Sequence, residues 1–174
     1  MPTLIDRTGP IDDVWSWYGS DAGPEAPGTP GSHLILPLAR WASDGESLIA
    51  GGAKVGICLE PADEPADIAD ALGRLDLVAV RFPAFTDGRG YSTARLLRQR
   101  YGWQGELRAV GDVLRDQMFY LARCGFSTFD LKDGESVAGA LAGLGDFTEA
   151  YQAAADRGPL FKRRQRAALA ASTR

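Results

Sequence analysis

The chain has 174 residues, a formal charge of -4 and an isoelectric point near 5.0. That length suits one domain able to bury roughly 70% of its unfolded surface, so no disulfide or metal staple is required. The acidic balance argues against a nucleic-acid surface, which needs a basic face, and leaves a protein or a small molecule as partner, with a homo-oligomer open.

Cys58 and Cys124 each sit inside an apolar run, there is no CxxC, and His33 is the single histidine. The three or four clustered ligands of a zinc site are therefore missing, and no metal is expected. The start, MPTLIDRTGPIDDVW, lacks the basic opening and long apolar run of a secretory signal. Nowhere do ~18 apolar residues run together. The expectation is a soluble, cytoplasmic chain with no membrane association.

In chain order, residues 1–20 carry a scatter of apolar side chains, Ile5, Val14, Trp15, Trp17 and Tyr18, broken by Gly9-Pro10. This suits a short strand or hairpin at a sheet edge. Asp21 to Gly31, DAGPEAPGTPG, is a proline- and glycine-punctuated connector. Residues 1–31 are thus read as an N-terminal segment and linker, 32–158 as an α/β domain, and 159–174 as a basic tail.

The domain opens with a strand at His33 to Leu36. A helix follows, with Pro37 at its start, Leu38, Trp41, Leu48 and Ile49 on one face, a weak middle at Asp44-Gly45, and Gly51-Gly52 as its stop. Lys54 to Leu59 is the second strand. A helix over Ala66 to Leu75 is predicted next, with Ile68, Leu72 and Leu75 in register and acids at its positive end.

The stretch Leu77 to Asp133 organises the rest. Apolar runs at Leu77 to Phe82, Glu106 to Val110 and Ser127 to Leu131 alternate with two segments of helical periodicity. In the first, Ala94, Leu97 and Tyr101 share a face, with Arg95, Arg98 and Arg100 on others. In the second, Leu114, Met118, Leu121 and Ala122 form the buried stripe, and Gly125 ends it. A last helix begins at Glu135 with Val137, Leu141 and Leu144 in register. A capping-box pattern at Asp146 to Glu149 then predicts a further helix through Ala155.

About five βα units therefore build an α/β fold with a mainly parallel sheet. An open doubly wound sheet is expected, with a partial barrel as the alternative. In either, the strand C-terminal ends share one rim, where α/β sites are built.

On that rim the loop Thr86 to Ser92 is the sharpest candidate. Gly88 and Gly90 are expected to allow positive φ and close approach, Arg89 offers a fork for an oxyanion, and the helix start supplies free N–H groups. Thr86, Gly88, Arg89, Gly90 and Ser92, with Arg115 from the next unit, are the candidate anion-binding set. The alternative is a tight turn with a solvated arginine. Asp87 and Asp112 are the candidate acid/base residues, although an aspartate placed like Asp112 at the first turn of a helix is usually an N-cap. Arg81 and Arg108 lie inside strands, where a buried guanidinium needs a partner; Asp87, Asp112 and Asp130 are the acids considered for that role.

The run RFPAFTDGRGYSTARLLRQRYGWQGELRAVGDVLRDQMFYLARCGF closely resembles the core of an uncharacterised bacterial family, a domain of unknown function. The matching words are Phe85 to Ser92, Gly105 to Val113 and Arg115-Asp116-Gln117, with a looser likeness from about His33 to the basic tail. Members of that family are encoded beside the sulfite reductase haemoprotein and are often labelled probable oxidoreductases of sulfite reduction. The resemblance implies a role in sulfur assimilation and cysteine biosynthesis, with sulfite reductase as the partner. It brings no cofactor: the chain has no complete dinucleotide fingerprint and too few cysteines for an iron–sulfur cluster.

Overall fold

The computed structural model describes residues 3–19 and 30–147. Most of the linker, the helix expected beyond Asp146 and the basic tail lie outside the described residues. Seven strands form one sheet: β1 (Thr3–Ile5), β2 (Ser16–Trp17), β3 (His33–Pro37), β4 (Lys54–Leu59), β5 (Leu77–Phe82), β6 (Glu106–Gly111) and β7 (Thr128–Leu131). Their order is β1-β7-β6-β5-β4-β3-β2.

From β3 to β7 each strand pairs in parallel with its neighbour in the chain. The α/β class and the mainly parallel sheet are as the sequence predicts; the doubly wound arrangement is not. Double winding needs a point where the strand order reverses, and here none occurs. Right-handed crossovers taken in strictly sequential order all return over the same face. The sheet accordingly curls into a half-barrel with its helices on one side, which is the partial-barrel alternative.

The N-terminal segment supplies both edges. β1 runs antiparallel to β7, and β2 runs parallel to β3. The edge strand suggested by residues 1–20 is thus two strands on opposite sides of the sheet.

Alternation along the strands divides the core in two. Leu36, Ile57, Leu59, Val78, Val80, Phe82, Leu107, Ala109, Phe129 and Leu131 face the helices. Ile35, Cys58, Leu77, Ala79 and Val110 form a smaller cluster on the other face, where the partly buried Trp15 and Trp17 pack against them. Apolar cover on both faces explains why β5 reads as a nearly continuous hydrophobic run.

The helices are shorter and less regular than their periodicity suggests. Leu38–Arg40 (α1) and Glu46–Ala50 (α2) are joined by a π turn, Trp41–Gly45, at the weak Asp44-Gly45 point. The helix predicted over Ala66 to Leu75 is two 3-10 turns, Pro65–Ile68 and Leu72–Arg74. Asp67, Asp70 and Gly73 are poor helix formers, and the three apolar anchors are buried without a regular helix. Arg89–Arg95 (α3) runs on into a π turn, Leu96–Arg100; Met118–Cys124 (α4) and Val137–Gly143 (α5) complete the layer.

Arg98 ties this layer together. Its guanidinium donates to the carbonyls of Gly125 at 3.0 Å, Trp103 at 2.7 Å and Gly105 at 2.9 Å. A cation thus sits at the negative end of α4. Burial pushes this arginine below its ordinary range.

Gly111 ends β6 with φ 98°, and a Cβ there would collide with the backbone carbonyl oxygen of Phe82. That carbonyl also accepts the Asp112 N–H at 2.7 Å. Gly111→Ala combines a left-handed backbone penalty with a backbone clash, so a loss of about 2–4 kcal/mol is expected in urea unfolding. Thr86→Ala, on an exposed loop, should lie within about 0.5 kcal/mol of wild type.

Candidate functional site

The rim carries the predicted residues, but their side chains are already engaged. Asp87 accepts the backbone N–H of Arg89 at 3.2 Å through Oδ1, and Arg89 Nε and Nη2 at 3.0 and 2.6 Å. The chain's own carboxylate thereby lies at the positive start of α3, where an external oxyanion was expected. These hydrogen bonds hold Asp87 below the usual carboxylate range and raise Arg89. Arg89 remains 62% exposed.

Gly88 and Gly90 are not left-handed, contrary to the expectation. Gly88 precedes the helix at φ -87°, and Gly90 lies within α3. A Cβ at Gly90 would stand 2.7 Å from Phe82 Cζ, so this glycine lets the helix approach the sheet. Thr86 and Ser92 are exposed, and Thr93 Oγ1 donates to the Arg89 carbonyl at 3.4 Å.

Asp112 is not a helix N-cap. The 3-10 turn Arg115–Gln117 intervenes before α4, and Gln117 Oε1 accepts the Leu114 N–H at 2.8 Å. Asp112 instead bridges two loops: Oδ1 pairs with Lys132 Nζ, and Oδ2 accepts the Phe85 N–H at 3.2 Å. The Lys132 contact, then the Phe85 N–H, hold its carboxyl low against burial. Arg115 donates to Asp116 at 3.0 Å and to Asp146 at 2.8 Å, and those acids raise it. The structure therefore brings Arg89 to Asp87, Asp112 to Lys132, and Arg115 to Asp116 and Asp146, each as a separate surface pair.

Arg81 and Arg108 point to the face opposite the helices, and their partners differ from those expected. Arg81 Nε donates to Glu60 Oε1 at 2.7 Å, and its guanidinium lies 5.2 Å from the Trp17 ring centroid. Arg108 is 3% exposed. Its Nε donates to Glu106 Oε1 at 3.0 Å, and its Nη1 donates to both Asp13 oxygens at 3.0 Å. Thr128 Oγ1 adds a hydrogen bond to the same Glu106 oxygen at 2.7 Å.

Asp130 shares this face. Burial raises its carboxyl; Arg108 opposes the shift, while Asp13 and Asp133 reinforce it. Cys58 lies on the same face beside Arg81, and burial pushes its thiol up to about 12, so it stays protonated and unreactive at neutral pH. Asp13, Glu60 and Lys132 were missed as partners from the sequence. Glu106 had a visible signal: it precedes Arg108 by two residues and shares its strand face.

Among the described residues no cluster of His, Cys, Asp or Glu suits a metal ion, and no helix is long and apolar enough to cross a membrane. Fold and site together define a half-barrel α/β protein with a self-paired rim and a buried ionic cluster on its concave face. The chain belongs to the family described as "Bacterial protein of unknown function (DUF934)", whose model matches residues 56–161. A search of curated proteins gives no match.

Asp130 and Asp112 should respond to pH with opposite signs. A carboxyl raised on folding contributes stability that is complete below its unfolded value, about 3.9, and is lost as pH rises through the folded value. A lowered carboxyl contributes above about 3.9 and loses that contribution as pH falls. Melting temperatures across this range should show Asp130→Asn gaining on wild type as pH rises and Asp112→Asn falling behind it. Parallel curves for the two variants would contradict these environments.

Proposed function

We propose that this protein is a non-catalytic accessory component of assimilatory sulfite reduction, docking on or supporting sulfite reductase. The pathway comes from the resemblance carried by Phe85 to Ser92 and Gly105 to Val113. The non-catalytic role is supported by one structural observation: the rim carboxylates Asp87 and Asp112 are both held low by cationic partners. Acid/base work near neutrality needs a carboxyl raised toward the working pH. Asp87 and Asp112 are shifted the other way.

An oxyanion can still have a place in this reading. The fork of Arg89 is exposed and its present ligand is the partly buried turn carboxylate of Asp87, so sulfate or sulfite would bind by exchange with that carboxylate. Such a site is suited to sensing an anion, because it releases its ligand easily. A second reading, a small enzyme acting on an anionic metabolite, draws on the concave face, where Asp130 is raised and lies within the field of Arg108.

The test is growth of a deletion strain on sulfate and on cysteine, complemented with wild type, Asp112→Asn or Asp130→Asn. The accessory role predicts that cysteine restores growth and that both variants rescue on sulfate as wild type does. Equal growth of the deletion strain on both sulfur sources would remove the sulfur assignment. Rescue by Asp112→Asn but not by a stably folded Asp130→Asn would favour the enzyme.

A further inference from the structure

The charge of this acidic protein is distributed unevenly. Residues 88–105 contain four arginines, Arg89, Arg95, Arg98 and Arg100, and no acid. This run forms α3 and its π turn, whose buried side consists of Gly90, Thr93, Ala94 and Leu97. Arg89 turns back to Asp87 and Arg98 turns inward to three carbonyls. Arg95 and Arg100 remain on the exposed side, and no carboxylate among the described residues pairs with either.

That distinguishes them from most other arginines of the described surface. Arg40, Arg74, Arg81, Arg89 and Arg115 each have a carboxylate within 4 Å. Arg100 is positioned by its own neighbour, its guanidinium lying 5.7 Å from the Tyr101 ring centroid. Tyr120, 47% exposed, extends the surface across α4, its ring tilted against that of Tyr91 with 4.8 Å between centroids. It lies within the electrostatic reach of Arg95 and Arg123.

Between the two arginines the surface is recessed. A hollow of about 440 Å³ is lined by Ser92, Arg95, Leu96, Gln99 and Arg100. Ser92 and Gln99 supply both donors and acceptors, and the half-buried Leu96 forms an apolar floor. We propose that this face of α3 docks an extended acidic segment of a partner protein, with carboxylates on alternate residues meeting Arg95 and Arg100.

Spacing favours a peptide over a single small anion. The five-residue step from Arg95 to Arg100 is a helical rise of about 7.5 Å along the axis, near the ~6.6 Å between side chains two apart on an extended strand. The unpaired backbone groups of such a segment would find Ser92 and Gln99, and its stem carbons would lie on Leu96. A nucleic acid would require a broader basic field than two free arginines on a chain of net charge -4. The chemistry of this surface is independent of the pathway the protein serves.

The test uses the full chain and a fluorescein-labelled peptide of alternating glutamate and alanine, with the glutamine–alanine peptide as its neutral control, read by fluorescence anisotropy. Wild type should bind the acidic peptide at low salt, with affinity falling as salt screens the exposed charges. The double variant Arg95→Glu/Arg100→Glu should lose at least about tenfold in affinity. A charge-matched control, Lys54→Glu/Arg74→Glu, should bind as wild type does.

No binding up to about 1 mM, or equal loss in both double variants, would overturn the proposal. Displacement of the peptide by millimolar sulfate at fixed ionic strength would make this a small-anion site instead. Low-salt self-association of wild type in sedimentation, abolished by Arg95→Glu/Arg100→Glu, would make the acidic partner a second copy and overturn the assignment to another protein. Both double variants retain the buried face of α3, so their melting temperatures should remain within a few degrees of wild type.

Discussion

The constraint on which this structure depends is one-sided winding. Sequential right-handed crossovers place the helical layer on one face of the sheet and leave the opposite face without helices. A parallel sheet is stable when both faces are covered. Here the second cover is a short N-terminal strap, and two tryptophans supply much of its apolar area. The strap is held electrostatically as well: Asp13 reaches across to Arg108, a guanidinium almost wholly removed from water. A buried cation without its carboxylates is far more costly than an exposed one, so the strap and the sheet interior depend on each other.

The same electrostatics separate the two ends of the molecule's chemistry. At the rim, surface pairs form within loops and between them: Asp87 with Arg89 and Arg115 with Asp116 locally, Asp112 with Lys132 and Arg115 with Asp146 across loops. Individually such pairs contribute little stability, but they fix loop geometry and neutralise the cations that an oxyanion would seek. On the concave face the balance is reversed, with Asp13, Glu106 and Asp130 near Arg108, and burial above all, with Asp13 and Asp133 adding to it, raises the Asp130 carboxyl against the pull of Arg108. The helical side is different again, because the acid-free run from Gly88 to Gly105 leaves Arg95 and Arg100 facing solvent.

Much of the fold was legible because strand burial writes itself into composition. Leu77 to Phe82 and Glu106 to Val110 could be placed to within a residue from their apolar runs alone. The winding was not legible, since the same alternation of strands and helices serves doubly wound and half-barrel sheets, and only the spatial order separates them. At the site, the loop Thr86 to Ser92 was located correctly on the rim, but its chemistry depended on pairings that periodicity does not encode. The partner of Arg81 is Glu60, brought beside it by the β4–β5 register, and a second partner of Arg108 is Asp13, 95 residues away. Gly90 could be read as special, but whether it serves a ligand or Phe82 is a matter of tertiary packing.

The extent of the family match sharpens the dependence between strap and sheet. Residues 56–161 include Arg81, Glu106, Arg108, Thr128 and Asp130, and thus most of the concave ionic cluster. Asp13, Trp15 and Trp17, which cover that cluster, fall before the matched range. The matched portion therefore carries a buried arginine and an apolar face whose cover comes from elsewhere in the chain. A rearrangement of the strap would expose Leu77, Ala79 and Val110 together with an arginine held only by Glu106. Desolvation ties these events to one another: apolar contact and ion pairing on this face form together when the strap is seated, and water reaching one would weaken the other.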